Sequence, residues 1–179
     1  MDIIAPLPHF TAVYYYEGQV KRSLHKFKFY SESSYADIFG KAMADKISGL
    51  YSHISFDGIC FVPMTARAEY HRGYNQSELL CLKISKELKI PVVPCLKKTA
   101  DNLKQKDLTG KERLTNVRGS FAIKDKTDIK GKTLILCDDI KTTGATLKEC
   151  CDTLMKAGAK DVYCISLALT PYISNMDIF

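Results

Sequence analysis

Two adjacent carboxylates, Asp138 and Asp139, directly follow the uncharged run Thr133-Leu134-Ile135-Leu136-Cys137. Side by side they repel, and burial raises that cost unless donors or a metal ion compensate. Acids in such a place are hard to justify as packing; they suit sugar hydroxyls or Mg²⁺. If the strand persists through them they alternate in direction, so one points straight at a ligand. Thr142-Thr143-Gly144-Ala145-Thr146 then forms a small polar turn that opens a helix. Its backbone N–H groups, the helix dipole and the Thr hydroxyls can hold a phosphate monoester. Gly144 removes the Cβ where the ligand must approach closely. Acids for hydroxyls followed by donors for phosphate fit a sugar phosphate. The competing reading makes Asp138-Asp139 a helix cap and Thr-Thr-Gly a plain turn. The stretch is not a Walker A loop, because the nearby lysine precedes Gly144. The chain also lacks the G-x-G-x-x-G of a dinucleotide fold.

The elements that must position these residues are those of an α/β fold. An uncharged run such as Thr133 to Cys137 suits a strand covered on both faces. Leu147, Cys150, Cys151 and Leu154 continue as a helix ending at Gly158, and Val162 to Leu169 supplies another apolar strand. Strand, helix and strand in this order imply a right-handed crossover in a parallel sheet, whose carboxyl edge is where such folds bind ligands. Upstream, residues 57 to 62 read as a buried strand ending at Pro63, and Met64 to Tyr74 as a polar segment. Asn75, with Glu78 three residues on, can cap a helix carrying Leu79, Leu80, Leu82, Ile84 and Leu88; a substrate contact is the other use for Asn75. Ser34 is read as the cap of a helix through Ile47 that stops at Gly49. Residues 10 to 18 read as a short strand and turn, and 19 to 29 as a helix. The basic residues of that helix, Lys21, Arg22, Lys26 and Lys28, are either a wet face or a phosphate-facing one. Ile90 to Leu96 is a second extended run, interrupted by Pro91 and Pro94. Residues 1–179 are expected to form a single domain.

Composition narrows the class further. Of 179 residues, 46% are apolar and 26% charged, which is ordinary globular usage rather than disorder. Lys and Arg number 26 against 20 Asp and Glu, and the net charge of +6 permits a polyanion partner or a small phosphorylated substrate equally well. No apolar run reaches the roughly 18 residues that cross a bilayer, so no membrane insertion is expected. The N-terminus has no basic segment before its apolar residues and does not read as a secretory signal. The seven cysteines form no C-x-x-C pair. They predict a reducing, cytoplasmic setting and no structural zinc. Residues 97 to 118 carry seven basic residues against three acidic ones. They form either a solvated loop or hairpin, or a mobile cover over a polyphosphate.

The Asp138-Asp139 and Thr142 to Thr146 segment closely resembles the binding motif of the type I phosphoribosyltransferases. The resemblance narrows to the ComF group, the competence protein F or amidophosphoribosyltransferase-like family. Arg72-Gly73-Tyr74-Asn75-Gln76-Ser77-Glu78-Leu79-Leu80 carries it, as do Lys98-Thr99 with Gln105 and Leu108, and Arg113 to Phe121. Tyr16-x-Gly18 followed by Phe27-Lys28-Phe29 is similar to the opening of that family.

The resemblance implies a twisted, mostly parallel sheet with helices on both sides and a small hood, a flexible loop at about 97–118. It implies that Asp138 and Asp139 contact ribose hydroxyls of 5-phosphoribosyl 1-pyrophosphate and help hold Mg²⁺ indirectly. Thr142, Thr143, Gly144, Ala145 and Thr146 would take the 5-phosphate. Met64, Thr65 and Arg67, in the loop after the first core strand, would take pyrophosphate. Arg67, Arg72, Lys97 and Lys98 are the candidate cations for the leaving group, although Arg67 serves equally well as a surface arginine. Two uses follow: transfer of phosphoribose to an unidentified nitrogen acceptor, or an accessory role in natural competence on single-stranded DNA or with competence proteins. A homodimer is possible in such folds. This chain has no cysteine before Cys60 and so resembles only the transferase-like portion, without the zinc module common in the group. Thr142 stands where relatives acting on 6-oxopurines carry an acid, which weakens that acceptor class.

Overall fold

The computed structural model describes residues 7–29, 34–99, 117–124 and 127–171. Strand β1 (Phe10–Tyr15) leads into helices α1 (Gly18–Phe29) and α2 (Tyr35–Tyr51). Strand β2 (Gly58–Phe61) is followed by α3 (Ala66–Arg72) and α4 (Gln76–Leu88). A two-stranded antiparallel ribbon, β3 (Leu96–Lys98) with β4 (Phe121–Ile123), stands apart from the main sheet. Then come β5 (Thr133–Lys141), α5 (Ala145–Lys156) and β6 (Asp161–Leu169). The main sheet has the order β1-β6-β5-β2, and every neighbouring pair runs parallel.

Parallel neighbours need crossovers, and the crossover helices divide the core into two layers. Ile135 and Cys137 of β5 pack with Phe27, Met43, Leu80 and Ile84 of α1, α2 and α4. Leu134 and Leu136, one step out of phase, pack with Leu147, Cys150 and Leu154 of α5. The period of two along the strand therefore assigns alternate residues to opposite helix layers. The centre of the sheet is covered on both sides, which is what the uncharged run of β5 predicts.

Several boundaries differ from expectation. Helix α2 continues through Gly49 to Tyr51, since an isolated glycine lowers helix stability by only about 1 kcal/mol. Ser34 has right-handed helical angles and makes no side-chain cap. The polar segment after Pro63 contains α3, with Thr65 Oγ1 accepting from the Ala68 N–H at 3.2 Å and Gly73 closing the helix at φ +87°. In the run Ile90 to Leu96, Val92 alone bridges β2, at Ile59, because Pro91 and Pro94 have no N–H to donate. Of the hood expected at about 97–118, with Gln105, Leu108 and Arg113, residues 100–116 lie outside the described residues.

Candidate functional site

Strand β5 carries both carboxylates to the carboxyl edge of the sheet. Asp138 is 9% exposed. Its Oδ1 accepts from Ser77 Oγ at 2.9 Å and from the Asp139 N–H at 2.8 Å. Burial, and then the neighbouring Asp139 charge, push the Asp138 carboxyl up to about 7, against the downward pull of Ser77, the Asp139 N–H and Lys28. Asp139 keeps the strand face of Ile135 and Cys137 and reaches Lys28 of α1, with Nζ 2.7 Å from Oδ2. The Tyr74 hydroxyl donates to the Phe27 carbonyl and so fixes the backbone beside Lys28.

A pH dependence follows from the raised Asp138 carboxyl. The folded state holds this proton more tightly than the unfolded chain, so the Asp138 contribution to stability is fullest in acid. It is lost as pH rises from about 4 to about 7. Ser77→Ala removes a donor that favours the charged form, and is expected to move the Asp138 titration above that of the wild type. Carboxyl ¹³C chemical shifts followed against pH check this; a shift downward would refute the assigned hydrogen bond.

Past the acids, the chain turns through Thr142 to Thr146 into α5. Gly144 adopts φ +82° at the helix start and offers no side-chain cap, while the Ala145 N–H donates to Thr143 Oγ1 at 3.4 Å. The start of α5 borders the recess walled by Thr142, Thr143, Ala145, Thr146 and Val117, and the remaining first-turn amides have no partner within the helix. Lys141 also lines this recess although it is only 5% exposed. Its ammonium lies 5.1 Å from the centroid of the Phe10 ring. Burial lowers its pKa, and among the described residues it has no acidic partner. The recess thus combines amides, hydroxyls and an uncompensated cation.

A wider cleft, open to solvent, adjoins the recess across Asp138 and Thr146. The loop after β2 forms one wall with Met64 and Thr65. Asn75 holds that wall at its far end: its Oδ1 accepts from the Ser77 and Glu78 amides, and its Nδ2 donates to the Val62 carbonyl at 3.0 Å. Asn75 is therefore the helix cap. Arg72 faces the cleft and donates to Gln76 Oε1 at 3.0 Å. Lys28 lines it from α1 and Lys98 from β3, the latter 5.5 Å from the Phe121 ring centroid.

Of the residues singled out from sequence, Asp138, Asp139, Met64, Thr65, Arg72, Lys98 and Thr146 meet in this cleft. Thr142, Thr143, Gly144 and Ala145 meet in the adjoining recess. Arg67 is exposed on α3 and lines neither space, and Lys97 is likewise absent from both walls. Sequence reading did not assign Lys28, Gln76, Ser77 or Lys141 to the site. Lys28, Gln76 and Ser77 do lie in the segments that carry the family resemblance, whereas Lys141 had no such signal beyond its closeness to the acids. The described residues contain no helix long and apolar enough to cross a membrane.

The chain belongs to the phosphoribosyl transferase domain family, whose description matches residues 76–172, more than half of the sequence. The parallel sheet between helix layers, with the acid pair at its carboxyl edge, is the architecture expected of that class. Within it, the homology is to competence proteins. Competence protein F of Haemophilus influenzae is 32% identical over 63% of this chain and 50% of its own length. The DNA utilization protein YhgH of Escherichia coli K12 is 28% identical over 82% of this chain and 66% of its own. The chain thus spans between half and two thirds of these relatives. A purine phosphoribosyltransferase from Pyrococcus horikoshii Ot3 is 22% identical in structure-based comparison, covering 78% of this chain and 77% of that one with a TM-score of 0.46.

Proposed function

We propose that the protein is a sugar-phosphate-binding component of DNA uptake or processing, in which the cleft holds 5-phosphoribosyl 1-pyrophosphate. The observation that carries the ligand is the meeting, at one sheet edge, of the buried Asp138 and half-buried Asp139 with the start of α5, where Gly144 offers no side-chain cap. Thr142 to Thr146 and Lys141 take the 5-phosphate, Asp138 and Asp139 the ribose hydroxyls, and Met64 and Thr65 with Arg72 and Lys98 the pyrophosphate, while the exposed Arg67 is left out of this set. Among the described residues no three acidic, His or Cys side chains converge. This donor set fits Mg²⁺ when phosphate oxygens complete its shell, with the Asp pair acting through hydroxyls or water. Bound that way, the ion would offset pyrophosphate charge.

The DNA role is supported by what the relatives are called and by the surface of α1. That helix carries Lys21, Arg22 and Lys26 on its exposed side and no acidic residue. Fluorescence anisotropy with a labelled single-stranded oligonucleotide across a salt series tests it. Contact with three phosphates corresponds to a slope of log K against log salt near −2, from roughly −0.7 per phosphate. Lys21→Glu with Arg22→Glu and Lys26→Glu should flatten it. Absence of binding at low salt would remove the DNA role.

The second reading is transfer of phosphoribose to a nitrogen acceptor. Its specific support is that Lys28, Arg72 and Lys98 line the same cleft as the acid pair, where charge on a departing pyrophosphate would gather. Pyrophosphate release measured against a panel of bases, ammonia and amines decides between the two. Acceptor-dependent release favours transfer, while a bound donor that is not turned over favours the accessory role.

A further inference from the structure

Gln76, the first residue of α4, is 1% exposed. Its side-chain oxygen accepts from Arg72 Nη1 at 3.0 Å. A guanidinium only donates, so the amide oxygen must face Arg72 and the NH₂ group must face away from it. That nitrogen, Nε2, is the sole fully buried side-chain polar atom among the described residues without a hydrogen-bond partner. An unsatisfied buried donor costs roughly 1–3 kcal/mol, whereas an apolar side chain of similar shape would avoid the cost. Gln76 also lines the cleft, as do Arg72 and Asp138. On the same wall the Val62 carbonyl takes Asn75, and Asp138 Oδ1 takes Ser77 and the Asp139 amide.

We propose that Gln76 is a ligand-reading residue, its Nε2 donating to a phosphoryl oxygen of the pyrophosphate group. The inference rests on the reading of the cleft as a 5-phosphoribosyl 1-pyrophosphate site and adds a contact to it. A phosphoryl oxygen fits better than a ribose hydroxyl because Arg72 stands directly beside the amide and favours an anion there. Hydroxyl protons, by contrast, find their acceptors on Asp138 and Asp139. A neutral amide held by Arg72 tests for an acceptor atom at one place, whereas a lysine is a point charge on a flexible stem. Gln76 therefore contributes selectivity, and Arg72 both orients it and supplies charge.

Calorimetric titration of the full chain in Mg²⁺ with pyrophosphate, 5-phosphoribosyl 1-pyrophosphate and ribose 5-phosphate tests this in wild type, Gln76→Met and Gln76→Glu. Gln76→Met should weaken the two pyrophosphate-bearing ligands about 10-fold and leave ribose 5-phosphate unchanged, consistent with the usual worth of a hydrogen bond to a charged group. Gln76→Glu keeps the acceptor for Arg72, replaces the donor by a negative charge, and should weaken them further. Gln76→Met also takes the acceptor away from Arg72, so Gln76→Glu, which keeps that acceptor, separates the Nε2 contact from a displaced Arg72. Equal pyrophosphate affinity in wild type and both variants, as expected if water satisfies the amide, overturns the assignment while leaving the cleft reading intact. A loss confined to ribose 5-phosphate overturns it too. A wild type that binds neither pyrophosphate nor 5-phosphoribosyl 1-pyrophosphate removes the cleft reading itself, and this inference with it.

Discussion

Gly144→Val is expected to abolish measurable binding of ribose 5-phosphate and to lower folding stability by roughly 2–4 kcal/mol. Two independent effects add. Gly144 sits at φ +82°, where a branched side chain is strained by its own backbone. A Cβ there would also come within 2.8 Å of Lys141 Cε, so the end of this lysine side chain must shift to make room. Forcing it aside moves the ammonium of the recess and distorts the first-turn amides of α5 together. Gly144→Ala should show the same direction with a smaller loss. Urea unfolding midpoints and ribose 5-phosphate titration measure both effects. A valine variant with wild-type midpoint and affinity would mean that the turn does not depend on this backbone conformation.

Replacing the acid pair should produce the opposite combination, a stable protein without its ligand. Asp138→Asn removes a buried carboxylate whose desolvation already pushes it up to about 7, and keeps an oxygen for Ser77 and the Asp139 amide. At alkaline pH its stability should therefore match or exceed that of the wild type. Asp139→Asn releases Lys28 from a partly exposed ion pair, a change of small consequence for folding. If both carboxylates accept from ribose hydroxyls, each lost charge-assisted bond contributes roughly 1.5–3 kcal/mol, so the double variant should bind 5-phosphoribosyl 1-pyrophosphate at least about 100-fold more weakly. Titration of the double variant beside its thermal melt provides the check. Undiminished affinity in a folded double variant would sink the role given to the pair. In the transfer reading, acceptor-dependent pyrophosphate release should disappear in Asp139→Asn.

These two outcomes separate scaffold from site, because they reach the same cleft from different physical directions. Gly144 acts through backbone geometry that any occupant of the recess would need. The acids act through charge, which the fold tolerates at a cost and which a ligand's hydroxyls would put to use.

Much of the frame was legible from sequence because it is set by short-range rules. The unbroken apolar run of β5, the glycine closing the turn into α5 and the Asn75 cap of α4 each depend on neighbours within a few residues. So does the proximity of Asp138 and Asp139 to the phosphate-type turn. Helix α3 escaped notice because its seven residues bury no side chain and leave no apolar stripe to read. What the tertiary structure alone decided is which groups converge on the acids. Ser77 reaches Asp138 across 61 residues of sequence, and Lys28 meets Asp139 because the core layer shared with α1 lies on that face of β5. The open donor of Gln76 and the Lys141 ammonium, without an acidic partner among the described residues, likewise emerge only from packing, since burial is a property of the assembled sheet edge. Local spacing can announce residue types suited to a ligand; their mutual distances and remaining hydrogen-bond capacity are set by strand order and helix placement.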